Sequence, residues 1–218
     1  MSKTKGGHAT SRINPPLKWH IDGGKTDLAK WIISLMPPRC KNPNKPADDD
    51  PGWLTYCEPY AGGLAVLLAN DPNGVSECVN DLNGGLCNFW RVLANPELFA
   101  RFHRHVEAMP FAERVWEEAA ANLEEGDEVS RAAAFFIHCR QSLAGRMKGF
   151  TGITKTRTRR GMNNEVSAWL TAIEGLPAVH ERLKRVLIVG PSDALDVIRK
   201  HDGPRKLVYA DPQYCHET

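Results

Sequence analysis

The chain has no Cys-x-x-Cys pair, no apolar run as long as a membrane span and no Gly-x-Gly-x-x-Gly fingerprint. Its six cysteines (Cys40, Cys57, Cys78, Cys87, Cys139 and Cys215) are scattered, and several sit in apolar runs. Zinc ligation is therefore not expected, and a reduced cytosolic protein is the simpler reading. The N-terminus lacks an apolar signal core. A missing dinucleotide fingerprint weakens NAD and FAD binding in particular. The formal net charge of +2 decides nothing about partners, so charge must be read locally. One local absence is informative. Between Val129 and Asn164 there is no Asp or Glu, while Arg131, Arg140, Arg146, Lys148, Lys155, Arg157, Arg159 and Arg160 fall there. Gly145 to Gly161 is also rich in Gly and Thr. A mobile basic loop of this kind suits nucleic acid, because Arg and Lys neutralise phosphates and Thr hydroxyls bond their oxygens.

With 218 residues, 42% of them hydrophobic, the chain suits one globular domain or a core plus an insertion. It is organised around Leu54 to Asn88. Trp53 to Cys57 is aromatic and branched and reads as a short buried strand. The turn Glu58-Pro59-Tyr60-Ala61-Gly62-Gly63 follows, and Leu64 to Asn70 reads as a helix. A strand turning through paired glycines into a helix brings backbone N–H groups close to a ligand. The next strand, Val75 to Val79, empties into Asn80-Asp81-Leu82-Asn83. A carboxylate there, about twenty residues past the glycine turn, is placed to accept both hydroxyls of a ribose. Such a stretch is a nucleoside-cofactor half-site, although similar turns also occur in folds that bind nothing.

Elsewhere, Met1 to Pro16 is polar and aperiodic and is expected to be a flexible arm. Leu28, Trp31, Ile32 and Leu35 have helical spacing after the turn Gly23-Gly24-Lys25-Thr26. No strand precedes that turn, and Trp19 stands where a phosphate-binding loop needs its first glycine, so a nucleotide triphosphatase is rejected. Asp48-Asp49-Asp50 lies in a Pro-rich loop and reads as a solvated turn rather than a metal site. Helical patterns run from Leu86, pause at Asn95-Pro96, and resume through Val106. Further helices are expected over Ala112 to Glu125, Val129 to Leu143 and Asn163 to Arg182. Arg185 to Val189 is a strand, and Asp193 either caps the next helix or meets a ligand's base edge. Leu207 to Ala210 is a last strand before Asp211-Pro212-Gln213-Tyr214. This order argues an open α/β sheet, with Asn88 to Pro177 inserted as a mostly helical lobe.

The chain resembles the Dam-like adenine-specific DNA methyltransferases, which use S-adenosylmethionine. The resemblance runs from Leu17 onward. It rests on Lys18-Trp19 with Gly23-Gly24-Lys25, on Glu58 to Gly63, on Asn80 to Asn83, and on Asp211-Pro212-x-Tyr214. Arg159-Arg160-Gly161-Met162-Asn163, with Ser167 to Leu170 and Glu174 to Pro177, looks like a phage-type branch of the family. The resemblance implies a Rossmann-like methyltransferase sheet with a helical target-recognition lobe. Residues 17–88 and 178–218 would form the cofactor-binding catalytic core, and residues 89–177 the DNA-recognition insertion. Trp19, Gly24 and Lys25 would help wrap the cofactor. Glu58, Pro59, Tyr60, Ala61 and Gly62 would form its methionine-side turn, Asp81 would hold its ribose, and Asp193 would lie near its adenine. Asp211, Pro212 and Tyr214 would clamp a flipped adenine, with Tyr214 stacked on the ring. Arg140, Arg146, Lys148, Lys155, Arg157, Arg159 and Arg160 would contact double-stranded DNA. No metal or membrane is required, and the setting implied is the cytoplasm of a bacterial or phage-infected cell, with or without a restriction-modification partner.

Two departures from the family bear on activity. Gln213 stands where the family has a second proline, which would hold Pro212 extended. Weakened catalysis is the expectation, with Gln213→Pro restoring rate. The chain also stops at Thr218, where the family continues, so a C-terminally truncated product is expected. The alternative from another class is a fragment that only binds DNA or cofactor. A methyltransferase acting on RNA or protein is a third reading.

Overall fold

The computed structural model describes residues 13, 15–16, 25–152 and 158–212. It is a mixed α/β structure whose central sheet has four parallel strands: β1 (Thr55–Glu58), β2 (Ser76–Val79), β5 (Val186–Ile188) and β6 (Lys206–Val208). Their order across the sheet is β5-β2-β1-β6. From β1 the chain steps to β2 and then β5 on one side, and finally crosses back to place β6 on the other side of β1. The winding therefore reverses beside β1, and the carboxyl ends of β1 and β6 flank the crevice created there.

Period-two burial assigns each sheet face. Tyr56 belongs to the main core with Ala29, Leu67 and Leu86. The neighbouring Cys57 turns to the opposite face, where it meets Cys78 and Val197 of α8 (Ala194–His201). Cys87 and Cys139 are also buried, and none of the described cysteines is in a disulfide.

Helix ends follow local chemistry. The break at Asn95-Pro96 separates α3 (Gly84–Ala94) from α4 (Pro96–Glu107). Asn95 Oδ1 accepts from the N–H groups of Glu97 and Leu98, and Pro96 occupies the first helical position, where no N–H is needed. Asn83 caps α3 through the Leu86 N–H, Asp127 caps α6 (Glu128–Gln141), and Asn163 caps α7 (Asn164–Leu183). With α5 (Glu113–Ala121), these helices fill the span between β2 and β5. They surround an aromatic cluster in which Phe89 and Phe136 stack at 5.8 Å and Phe136 meets Trp169 at 5.3 Å. This cluster runs without a break into the sheet's main core.

The helical spacing of Leu28, Trp31, Ile32 and Leu35 corresponds to α1 (Lys25–Leu35), in which Trp31 and Leu35 are 60% and 64% exposed and Leu28 is also exposed. The helix instead buries Ala29, with Ile32 and Ile33 half-buried. The small Ala29 side chain allows close approach to α2 (Ala65–Ala69).

Candidate active site

Four segments converge at the carboxyl edge of the sheet, and backbone hydrogen bonds hold them in register. Asn80 N–H donates to the Glu58 carbonyl at 2.9 Å, and Ala61 N–H donates to the Asn80 carbonyl at 2.8 Å. Val189 N–H reaches the Val79 carbonyl, and Tyr209 N–H reaches the Cys57 carbonyl, each at 2.9 Å. The glycine turn, the Asn80–Asn83 turn and the segments leaving β5 and β6 thus form one hydrogen-bonded rim.

Within the glycine turn, Gly62 has φ +47°, a conformation that favours glycine, and among the described residues nothing beyond its chain neighbours lies within 4 Å of where its Cβ would stand. Its outer side is open. Leu64 is also left-handed at φ 56°, an unusual state for a bulky residue, and is held there by complete burial. The Gly62 N–H donates to Asp81 Oδ2 at 3.0 Å, and the Asn83 N–H donates to Asp81 Oδ1 at 3.0 Å. The half-exposed Asp81 carboxylate therefore bridges the two turns, and each oxygen keeps a second lone-pair direction.

Glu58 departs from what a ligand-facing acid would show. It is 2% exposed, and its Oε1 accepts from the Tyr56 hydroxyl at 2.7 Å. Burial pushes its carboxyl up to about 7, against the hydrogen bonds from Tyr56 and from the Leu67 N–H. Burial and the adjacent Glu58 in turn push the Tyr56 phenol far up. Leu67 lies in the first turn of α2, whose N-cap Leu64 has no side-chain hydrogen bond, so Glu58 supplies the missing acceptor from β1. Behind it lies a second buried pair. Arg182 of α7 donates to both carboxylate oxygens of Glu77 at 2.5 and 2.6 Å, and also to the Leu67 carbonyl at 3.0 Å. The sequence reading missed Tyr56 and this pair. Tyr56 was findable, being two residues before Glu58 on the same strand face, whereas Arg182 is 105 residues from Glu77 and carried no signal.

Among the remaining expected residues, Pro59 and Ala61 are buried and Tyr60 is half-buried in the glycine turn. Asp193 does cap α8, through the N–H groups of Leu195 and Asp196, and it follows the rim residue Ser192. Asp211 is half-exposed, with Oδ2 3.5 Å from the Tyr209 hydroxyl, and Pro212 is exposed. Trp19, Gly24, Lys155, Arg157, Gln213 and Tyr214 lie outside the described residues. So do the Lys25 side chain and most of the N-terminal arm.

The described part of the basic segment is closed by hydrogen bonds. Leu143 N–H donates to the Gly149 carbonyl and Thr151 N–H to that of Gln141, while Phe150 packs on Phe111 at 5.2 Å. A short hairpin follows, β3 (Thr158–Arg159) and β4 (Met162–Asn163), turning through Arg160 and Gly161 at positive φ. Arg146, Lys148 and Arg159 are exposed. Arg160 is also exposed but is paired with Glu174 of α7 at 3.1 Å. Arg140 differs from these: it is half-buried, its Nη2 donates to the Ala168 carbonyl at 2.7 Å, and burial lowers its pKa. That contact ties α6 to α7. Among the described residues no group of three or more His, Cys, Asp or Glu could hold a metal ion, and no helix is long and apolar enough to cross a membrane.

Residues 22–218 match the family model described as D12 class N6 adenine-specific DNA methyltransferase. No curated protein matches the chain.

Proposed function

The chain belongs to the D12 class N6 adenine-specific DNA methyltransferase family, and from that premise we propose that it methylates the exocyclic amino nitrogen of adenine in double-stranded DNA, with S-adenosylmethionine as donor. The observation that supports this reading is the reversal of winding beside β1. It brings the glycine turn, Asp81 and Asp211-Pro212 to one rim of the sheet. The residues present fit the cofactor: Gly62 leaves open space beside the backbone, and Asp81 retains acceptor capacity for two vicinal hydroxyls. When bound, S-adenosylmethionine supplies an electrophilic methyl group.

The protein's own part is binding, orientation and charge stabilisation. Glu58 to Gly62 hold the methionine side of the cofactor, with buried Glu58 acting from behind the turn. Asp81 holds the ribose, and Asp193 lies toward the adenine while capping α8. Trp19, Gly24 and Lys25 complete the wrap. A paired base is out of reach, so the target adenine is flipped from the helix. The Asp211 carboxylate and the Pro212 carbonyl then accept the two N–H bonds of its amine. Their acceptance orients the nitrogen lone pair and stabilises positive charge as the bond forms. Tyr214 stacks on the flipped ring.

Residues 17–88 and 178–218 act as the catalytic core and residues 89–177 as the DNA-recognition part. Arg146, Lys148, Lys155, Arg157 and Arg159 contact phosphates, with Arg160 and Arg140 contributing from their bonded positions. The test is methyl transfer from labelled S-adenosylmethionine to duplex DNA, RNA and protein in parallel. Label recovered as N6-methyladenine in duplex DNA, lost in Asp211→Ala with cofactor binding retained, is the expected result. Label only in RNA or protein, or none anywhere, refutes the assignment.

A further inference from the structure

We propose that Asn80, which neither contacts the reacting groups nor carries a charge, is the positioning residue of the cofactor site. This inference rests on the cofactor reading above. Asn80 is 1% exposed and stands at the end of β2, immediately before Asp81. Its side-chain Nδ2 donates to the Pro59 carbonyl at 3.0 Å and to the Ser192 carbonyl at 2.9 Å. Those carbonyls belong to the glycine turn and to the turn between β5 and α8. Its backbone N–H and carbonyl are also committed to the glycine turn, through Glu58 and Ala61. One residue thus makes three hydrogen bonds to residues 58–61 and one to residue 192.

The site is built to keep that side chain in place. A Cβ on Gly190 would stand 2.8 Å from Asn80 Oδ1, 2.6 Å from Cys87 Sγ and 2.7 Å from the Asp81 carbonyl, so position 190 accommodates no side chain. Asn80 Oδ1 is buried without a hydrogen-bond partner among the described residues. A buried acceptor left unpaired costs stability, so this amide is not the choice that packing alone would make. Its two N–H groups are what the position uses: only a primary amide presents two donors to two carbonyls in that space. The consequence falls on Asp81. Asn80 sets the separation of the glycine turn from the Asp81 turn, and so the direction in which the ribose-binding carboxylate points.

Asn80→Asp keeps the shape but sets a carboxylate against two carbonyl oxygens. Asn80→Ser is the milder, uncharged loss and serves if the aspartate variant does not fold. Affinity for S-adenosylmethionine is measured by calorimetry on the full chain. Duplex-DNA affinity and thermal midpoint are measured alongside, and Asn95→Ala, which removes the distant α4 cap, is the control for lost stability. The expected result is cofactor affinity weakened about ten- to a hundredfold in either variant, with DNA affinity unchanged and Asn95→Ala binding cofactor normally. Asn80→Asp should partly recover as pH falls, because the protonated carboxyl regains one donor. Thermal midpoints taken at the same pH values separate this recovery from regained stability, which protonation of a buried carboxyl also brings. Normal cofactor binding by the Asn80 variants, with a wild-type chain that binds, overturns the inference and leaves the cofactor reading standing. A wild-type chain that does not bind S-adenosylmethionine overturns both. Equal weakening in Asn95→Ala shows a stability effect and overturns the positioning role.

Discussion

Replacing Glu58 by Gln should remove a pH dependence of stability that the wild-type protein carries. An ordinary glutamate titrates near 4.5, whereas burial holds the folded Glu58 carboxyl at about 7. Because the folded value is raised, the protonated form carries the stability. That contribution is complete below about 4.5 and is lost as pH rises through about 7. Ionising the folded group costs about 3 kcal/mol more than ionising the unfolded one. Between pH 5 and pH 8, the loss assigned to this residue is about 2.5 kcal/mol. The substituted side chain still accepts from the Tyr56 hydroxyl but turns an amide toward the Leu67 N–H, so at pH 5 the variant should be less stable by about 1–3 kcal/mol. At pH 8 the two proteins should converge. Urea denaturation followed by circular dichroism at both pH values gives the four free energies needed. Parallel pH profiles for wild type and Glu58→Gln would refute the assignment of this buried acid.

Two further perturbations test other parts of the structure. Arg182→Met alone leaves the Glu77 carboxylate buried without its partner and should cost about 3–5 kcal/mol in urea denaturation, whereas adding Glu77→Leu should restore most of it; an unrecovered double variant would contradict this. Arg160→Gln removes one phosphate contact from the hairpin, so duplex-DNA affinity should fall at low salt and its log–log salt slope should flatten by about 0.9. An unchanged slope, read by fluorescence anisotropy, would remove Arg160 from the phosphate contacts.

Local chemistry made the elements legible, and distance hid the rest. Asn95-Pro96 announced the break between α3 and α4, and Asp193 announced its cap, because capping depends on residues two or three positions apart. The Glu58 to Gly63 turn and Asp81 were readable as a pair because the strand–turn–helix unit that joins them is contiguous. The direction of the Glu58 side chain was not readable, since it follows from Tyr56, Leu67 and the core behind them. On α1 the helical spacing was legible but the buried position was not, since close approach to α2 buries Ala29 and leaves Trp31 exposed. Arg140 and Arg160 looked alike within a run of positive charge, yet one is tied to the Ala168 carbonyl and the other to Glu174. Charge along a sequence does not reveal such long-range partners.

The placement of β6 beside β1 has a consequence for synthesis on the ribosome. Thr55 and Arg205, which meet where the two strands begin, are 150 residues apart in the chain. At roughly 5–20 residues per second, the β1 edge waits on the order of ten to thirty seconds for its partner. The helices α3 to α7, which pack chiefly on one another and are complete by Leu183, can assemble during that interval. Asp211 and Pro212 lie just beyond β6, so the nascent chain can hold a folded helical body and an Asp81-bridged glycine turn while its reactive edge is still open. Until β6 docks, that edge is exposed to any other extended chain. The step that completes the rim is also the step that covers the edge of β1.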